Sequence, residues 1–411
     1  MTSLTDLSFQ VEEELKKRFL SPDGVLYDYS GPHGEVELPR PEECRIHFPN
    51  LFGWWTPIEN GAFFTGDYLL GLLRNRRGAQ SGERKKLIGT LLHGLFRLQD
   101  AARSEGCILR GLGSDGNCRY PASSCDQVIP WMLALYEFQR HPIATEQERS
   151  ECRNRLLRLL TALRKWNWSI PGDVPGFERG SFLSGETAES AAVSCVNLLL
   201  ATAMAADLSG EEADLQRHIL AANEILPFGG TRLRILSAGL AVQPLWMGWF
   251  LTHTVYAMRL LTELSPLPGV RTAAREGMVR SGRHFLSALP EWKRYRRGLD
   301  FSPDWRICGE LWQEHSTCSE GEKIALRELP LWHAASPCIR EEKNTIRHAL
   351  SAAWIVLTSE LPEGRKRVGE ELEGLSGHLR LSELCDVSFY LLENIRSELE
   401  RSCRTSPDPE E

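Results

Sequence analysis

Apolar residues recur at three- and four-residue spacing along most of the 411 residues. The stretches lie near 5–19, 59–76, 84–104, 126–140, 147–167, 187–207, 211–225, 243–264, 271–288, 340–360 and 382–402. That period gathers them on one side of an α-helix, and few runs alternate well enough to be strands. The expected fold class is all-α. Between the stretches lie Gly- and Pro-rich segments such as "PGDVPGFERGSFLSGE" and "PLPGV", which interrupt helices.

Character alternates along the series. The stretches near 84, 147, 211 and 271 carry many charges, whereas those near 126, 187 and 243 are almost uniformly apolar or small. Outer helices keep one wet face and inner helices are enclosed on all sides, so the alternation predicts two concentric layers. With one more helix between 300 and 335 the number approaches twelve, which fits six hairpins closed into an (α/α)6 toroid. An irregular helical solenoid is the alternative. No linker divides the chain, so residues 1–403 are expected to form one domain and 404–411 a disordered tail.

Composition narrows the function. Apolar content of 42% and charged content of 25% allow a folded core. A net charge of -7 gives no basic footprint for nucleic acid. The amino terminus "MTSLTDLSFQVEEELKKRFL" lacks the pattern of a secretory signal, and a cytoplasmic location is expected. Residues 191–206 and 235–258 carry no Asp, Glu, Lys or Arg. The first is short for a membrane span and the second contains Gln243, Pro244 and His253, so both are expected to be core helices, with no membrane partner. Eleven scattered cysteines are expected to be reduced thiols.

Gly111, Gly113 and Gly116 in "ILRGLGSDGNCRY" match G-x-G-x-x-G. A dinucleotide site needs a strand before this motif and a helix opening within it. Neither is present, so no nucleotide cofactor is expected. The stretch reads instead as a loop carrying Arg110, Asp115, Arg119 and Tyr120 toward the next helix. There Ser123, Ser124 or Asp126 can cap the amino end. Asp126 is then either a cap or a carboxylate at the mouth of a central cavity, and Asp115 either a turn residue or part of a covering loop.

In "NLFGWWTPIENGAFFTGDYLLGLL", Glu59, Asn60 and Asp67 lie at two levels of one helical face. Trp54, Trp55, Phe63 and Phe64 surround them, either as core or as surfaces on which sugar rings stack.

The pair "WWTPIENGAFFTGDYL" and "RGLGSDGNCRYPASSCDQ", followed by an apolar helix, resembles the beginning of six-hairpin glycosidase-type proteins. These include the unsaturated glucuronyl hydrolases and related uronic-acid-processing enzymes. The resemblance covers about residues 45–140. It implies a toroid holding a short glycan fragment, with Asp126 matching an aspartate that protonates a vinyl-ether carbon and activates water. Asp67 or Glu59 is the expected second carboxylate.

The chemistry itself asks for a carboxyl group of raised pKa. Arg110 or Arg119 can grip a uronate carboxylate in two parallel hydrogen bonds. Trp54, Trp55, Asn60, Asp115, Tyr120, Gln127, Trp131, Trp246 and His253 complete the expected substrate contacts, and Glu178, Arg179, Glu186, Gln243 and Trp249 are further polar and aromatic groups. A lone histidine such as His253 can equally be a core residue. Cys308, His315, Cys318, His333 and Cys338 lack the close cysteine pairs of zinc sites, so no metal is expected. Glu310 and Glu314 are spaced to share a helical face. A lyase or epimerase would use Tyr120, His253 or His315 instead, and a helical scaffold would use none of them catalytically.

Overall fold

The computed structural model describes residues 4–46, 55–75, 81–116, 119–308, 314 and 317–402. The expected tail at 404–411, Trp54, Glu310 and His315 lie outside them. The described residues are predominantly helical, and their β-structure is confined to isolated bridges such as Leu112 with Arg119.

In chain order the helices are α1 (Leu4–Glu14), α2 (Pro41–Ile46), α3 (Gly61–Arg74), α4 (Gly82–Asp100), α5 (Cys125–Arg140), α6 (Glu146–Lys165), α7 (Ala188–Ser209) and α8 (Glu212–Asn223). They continue with α9 (Arg232–Ala238), α10 (Gly248–Leu264), α11 (Pro268–Phe285), α12 (Cys318–Ala335), α13 (Pro337–Glu342), α14 (His348–Thr358), α15 (Gly364–Ser376) and α16 (Leu391–Ser402). The expected helix between 300 and 335 is α12. The charged helix α15 was not anticipated, and the stretch at 382–402 is helical in the α sense only from Leu391.

Local chemistry fixes many ends. Thr145 and Glu148 form a reciprocal cap at the start of α6, as Thr187 and Ser190 do for α7. Each satisfies amides that the first helical turn leaves unpaired. Gly210 ends α7 in the left-handed region at φ 68°, where a side chain would be strained.

Two kinds of helix result. Every residue from Gly61 to Leu73 of α3 is buried, and α10 and α14 are nearly as enclosed. By contrast α4 and α6 bury only one stripe. The enclosed helices pack on one another: α3 on α5 and α16, α10 on α5, α7 and α14, and α14 on α16. Next in sequence, α4 covers α3, α6 covers α5, α8 covers α7, α11 covers α10 and α15 covers α14, while α16 is covered by α1. Close approach needs small residues: a methyl at Gly66 would meet the Pro130 carbonyl oxygen at 2.7 Å.

The enclosed helices also point the same way. A cleft of about 510 Å³ is lined by Arg74 of α3, Glu137 and Arg140 of α5, Glu263 of α10 and Arg401 of α16, all near carboxyl ends. The amino ends of α3 and α5 meet likewise, where the Phe63 amide donates to Gln127 Oε1 at 3.2 Å. The stretch Glu189–Ser209 is long and apolar enough to cross a membrane, yet 83% of its most apolar window is buried. The segment 235–258 is broken into α9, a 3₁₀ turn at Leu245–Met247 and the start of α10.

Candidate functional site

The amino ends of α3 and α5 meet in a network of buried polar groups. Ser124 precedes α5, so Asp126 is a first-turn residue rather than the cap itself. A carboxylate there is favoured by the helix dipole. Asp126 is 7% exposed and accepts from the Ser124 hydroxyl and from Gln127 Nε2 at 3.2 Å. The Arg110 guanidinium lies 3.9 Å away. Arg110 also donates to Ser124 Oγ at 2.7 Å, to Asn60 Oδ1 at 3.1 Å and to the Glu59 carbonyl at 3.0 Å. Its plane rests over the Tyr120 ring, 5.0 Å from the centroid.

Asn60 joins this group to a carboxyl that sequence reasoning missed. Its amide N–H and its Nδ2 each donate to Asp28 at 2.6 Å, and its Oδ1 also accepts from Gln127 at 3.1 Å. Asp28 is 2% exposed. Burial, then the neighbouring charge of Glu59, push its carboxyl up to about 8. Glu59 is half-buried and accepts from the Trp55 amide at 3.0 Å. Trp55 sits at φ 61°, a costly conformation for a bulky residue. It is pinned by Tyr29 Oη on its carbonyl and by Ala325, whose carbonyl accepts from its indole at 3.1 Å.

Asp126 overturns an expectation. Burial raises its pKa, but Arg110 and Arg179, helped by the Ser124 hydroxyl, outweigh burial and hold it below the usual aspartate value. It is a carboxylate at neutral pH, suited to base or charge-stabilising work rather than to donating a proton in the free protein.

The opposite wall comes from a π-helical turn, Lys343–Arg347, between α13 and α14. Such turns add a residue to a helix and re-aim its side chains. Arg347 pairs with Asp386, donates to Ser388 Oγ at 2.7 Å and lies 5.2 Å from the Trp249 ring centroid. Lys343 is half-buried. Burial and Arg347 lower its pKa against the fields of Glu59, Asp386 and Asp28. His253 is buried between the Phe63 and Phe250 rings at 5.4 and 5.8 Å, and burial lowers it to about 4, so its imidazole is neutral. Arg110 Nε and His253 Nδ1 have no hydrogen-bond partner among the described residues.

Other expected contacts fall elsewhere. Asp67 is wholly buried about two helical turns deeper, accepting from Thr252 at 3.0 Å and Tyr390 at 3.4 Å. Arg119 is held by Asp173 at 2.8 Å, as Arg179 is by Glu322 at 3.2 Å. Asp115 is exposed on its turn, so the loop brings Arg110 and Tyr120 to the cluster rather than all four polar residues. Trp131 is a core residue whose indole donates to the Leu95 carbonyl of α4 at 2.8 Å. Trp246 is 60% exposed. Glu178, Glu186 and Glu314 are exposed, and the Gln243 amide donates to the Glu189 carbonyl at 2.8 Å.

The expected mouth beside Asp126 is also not where the 510 Å³ cleft opens; that cleft lies at the other ends of the same helices. The residues missed were Asp28, Lys343, Arg347 and Asp386. The i, i+4 pair of cations in "KNTIR" was the one available signal. No family model matches the chain, and no curated protein matches it.

Proposed function

We propose that the chain is a carbohydrate-active enzyme of the α/α toroid class that hydrolyses a short uronic-acid-containing glycan. The closed circuit of contacts α3, α5, α10, α14, α16 and back to α3 supports the ring, and the pairing of α16 with α1 supports six hairpins. One observation carries the function: Asp126, buried yet ionised between Arg110 and Arg179, stands beside two buried polar atoms, Arg110 Nε and His253 Nδ1, that lack hydrogen-bond partners among the described residues. An anionic sugar supplies the acceptor that Arg110 Nε lacks.

In this reading Asp126 activates water, and Glu59 is the second carboxylate facing the substrate. Arg179 and Lys343, both only partly buried, bind the uronate carboxylate. As that anion takes up Arg179, the positive field on Asp126 weakens and its proton affinity rises, which is what proton return to the product requires. Trp249 and Phe250 offer rings for stacking.

A lyase is the second reading, favoured by the neutral His253 as a base for a proton alpha to a carboxylate. Ultraviolet absorbance on fragments with and without an unsaturated terminal uronate separates the two. Hydrolysis of the unsaturated sugar lowers absorbance, whereas a lyase raises it on saturated fragments. A folded protein that neither binds nor turns over any such fragment would make the chain a scaffold and sink both.

A further inference from the structure

We propose that Cys338, Glu342 and Cys385 form a binding site for one thiophilic divalent cation, with the chemistry of zinc. The site is independent of the glycan reading. Cys338 and Glu342 are four residues apart across the end of α13, so both project from one face. Cys385 arrives from the segment before the 3₁₀ turn Val387–Tyr390. One ligand atom from each lies within 4.8 Å of the others, and all three residues are buried. Bonds of about 2.0 to 2.3 Å to oxygen and sulfur would draw them somewhat closer.

Two features point to a cation rather than to chance proximity. Glu342 is 2% exposed, and its oxygens accept only from the backbone amides of Cys385, at 3.1 and 3.0 Å, and Asp386, at 2.7 Å. Among the described residues it forms no ion pair. Burying the ionised form without a positive partner is costly, so without a cation the Glu342 carboxyl holds its proton. Secondly, the donors are mixed thiolate and carboxylate, a set that selects zinc over magnesium or calcium. Those backbone amides orient the carboxylate as outer partners orient metal ligands generally.

Binding releases the two thiol protons and the carboxyl proton, leaving two thiolates, one carboxylate and the dication with one net negative charge. Arg18 compensates nearby, donating to the Leu384 carbonyl at 2.8 Å and the Leu381 carbonyl at 2.7 Å. The cation would tie α13 and the π-helical turn after it to the segment bearing Asp386. It thereby fixes the positions of Lys343 and Arg347.

Cobalt(II) titration of the reduced, full-length protein tests this. Wild type is expected to take up one equivalent with a thiolate-to-cobalt charge-transfer band and the visible bands of a tetrahedral ion, all displaced by zinc. C338S and C385S should each weaken the charge-transfer band, and E342Q should keep it while lowering affinity. The proposal is overturned if folded, reduced wild type gives no such band. It is equally overturned if the band persists unchanged in both serine variants.

Discussion

The two ends of the enclosed helices solve the same electrostatic problem in opposite ways. At the carboxyl ends, where the helix dipoles are negative, Arg74, Arg140, Arg259 and Arg401 stand among Glu137, Glu263, Glu398 and Glu400. They are matched internally. Glu398 takes both nitrogens of Arg259 at 2.8 and 2.6 Å, and Arg74 donates to Tyr256 Oη at 2.8 Å. At the amino ends, where anions are favoured, Asp126 is ionised, but Arg179, Lys343 and Glu59 stay partly open, and Arg110 Nε and His253 Nδ1 lack hydrogen-bond partners among the described residues. At the carboxyl ends Arg259 Nε lacks one too. The larger space is thus at the end whose arginines each have a carboxylate within 4.0 Å, so volume alone does not mark where a ligand is wanted.

The largest effect should come from D126N. Turnover of uronate fragments should fall about a hundred- to ten-thousand-fold, the usual contribution of a positioned acid or base, while urea unfolding changes by roughly 1 kcal/mol. The reverse split belongs to the other end. E398A leaves Arg259 buried without its partner and should cost about 3 to 5 kcal/mol of stability, with kcat of the folded enzyme unchanged. If E398A abolishes turnover in folded protein and D126N does not, the functional end has been assigned backwards.

A smaller effect separates binding from chemistry within the amino-end cluster. R179M removes a partly exposed cation that supports the ionised Asp126. Loss of one charge-assisted hydrogen bond to substrate is about 1.5 to 3 kcal/mol, roughly ten- to a hundred-fold in KM for a uronate and little for a neutral sugar of the same length. An equal change for both sugars would show that Arg179 shapes the site without reading the carboxylate.

The helical layers were legible because burial is written in periodicity. The stretches near 59, 126 and 243 became α3, α5 and α10 within a few residues, and the uniformly apolar character of those near 126 and 243 marked them as enclosed. Asp126, Arg110, Asn60 and Gln127 were legible for a related reason: they lie beside helix starts whose capping pattern is local. Asp28 and Asp386 were not. Each sits in irregular chain, and they reach the cluster through contacts spanning 32 residues to Asn60 and 39 to Arg347. The protonation of Asp126 was misjudged because apolar walls alone raise a pKa, and sequence did not reveal that two arginines converge there. Cys338 and Cys385 stand 47 positions apart, too far for a spacing motif.

Asp67 lies between the two ends and sharpens the contrast at the smallest scale. It is seven residues from Asn60 and seven from Arg74, about 10 Å along the axis from each. Too deep to share a proton with Asp126, it has no ion pair among the described residues, and burial raises it to about 8 against the hydrogen bonds from Thr252 and Tyr390. Between its unfolded value of 3.8 and its folded value near 8 the native state holds a proton that the unfolded chain releases. Stability should therefore fall as pH rises through that window, by up to about 1.4 kcal/mol per pH unit. His253 acts oppositely. Lowered from 6.5 to about 4, it is neutral when folded and charged when unfolded, so its contribution grows as pH rises to 6.5 and masks Asp67 below that point. From pH 6.5 to 8 the falling slope belongs to Asp67, to Asp28, which is also raised to about 8, and to Glu342, which burial holds well above the usual carboxylate range. D67N should remove the Asp67 share of that slope and leave the shares of Asp28 and Glu342, measured by urea unfolding at pH 6.5, 7 and 8. Parallel slopes for D67N and wild type would mean that Asp67 is ionised in the core, with a counter-charge between the two ends.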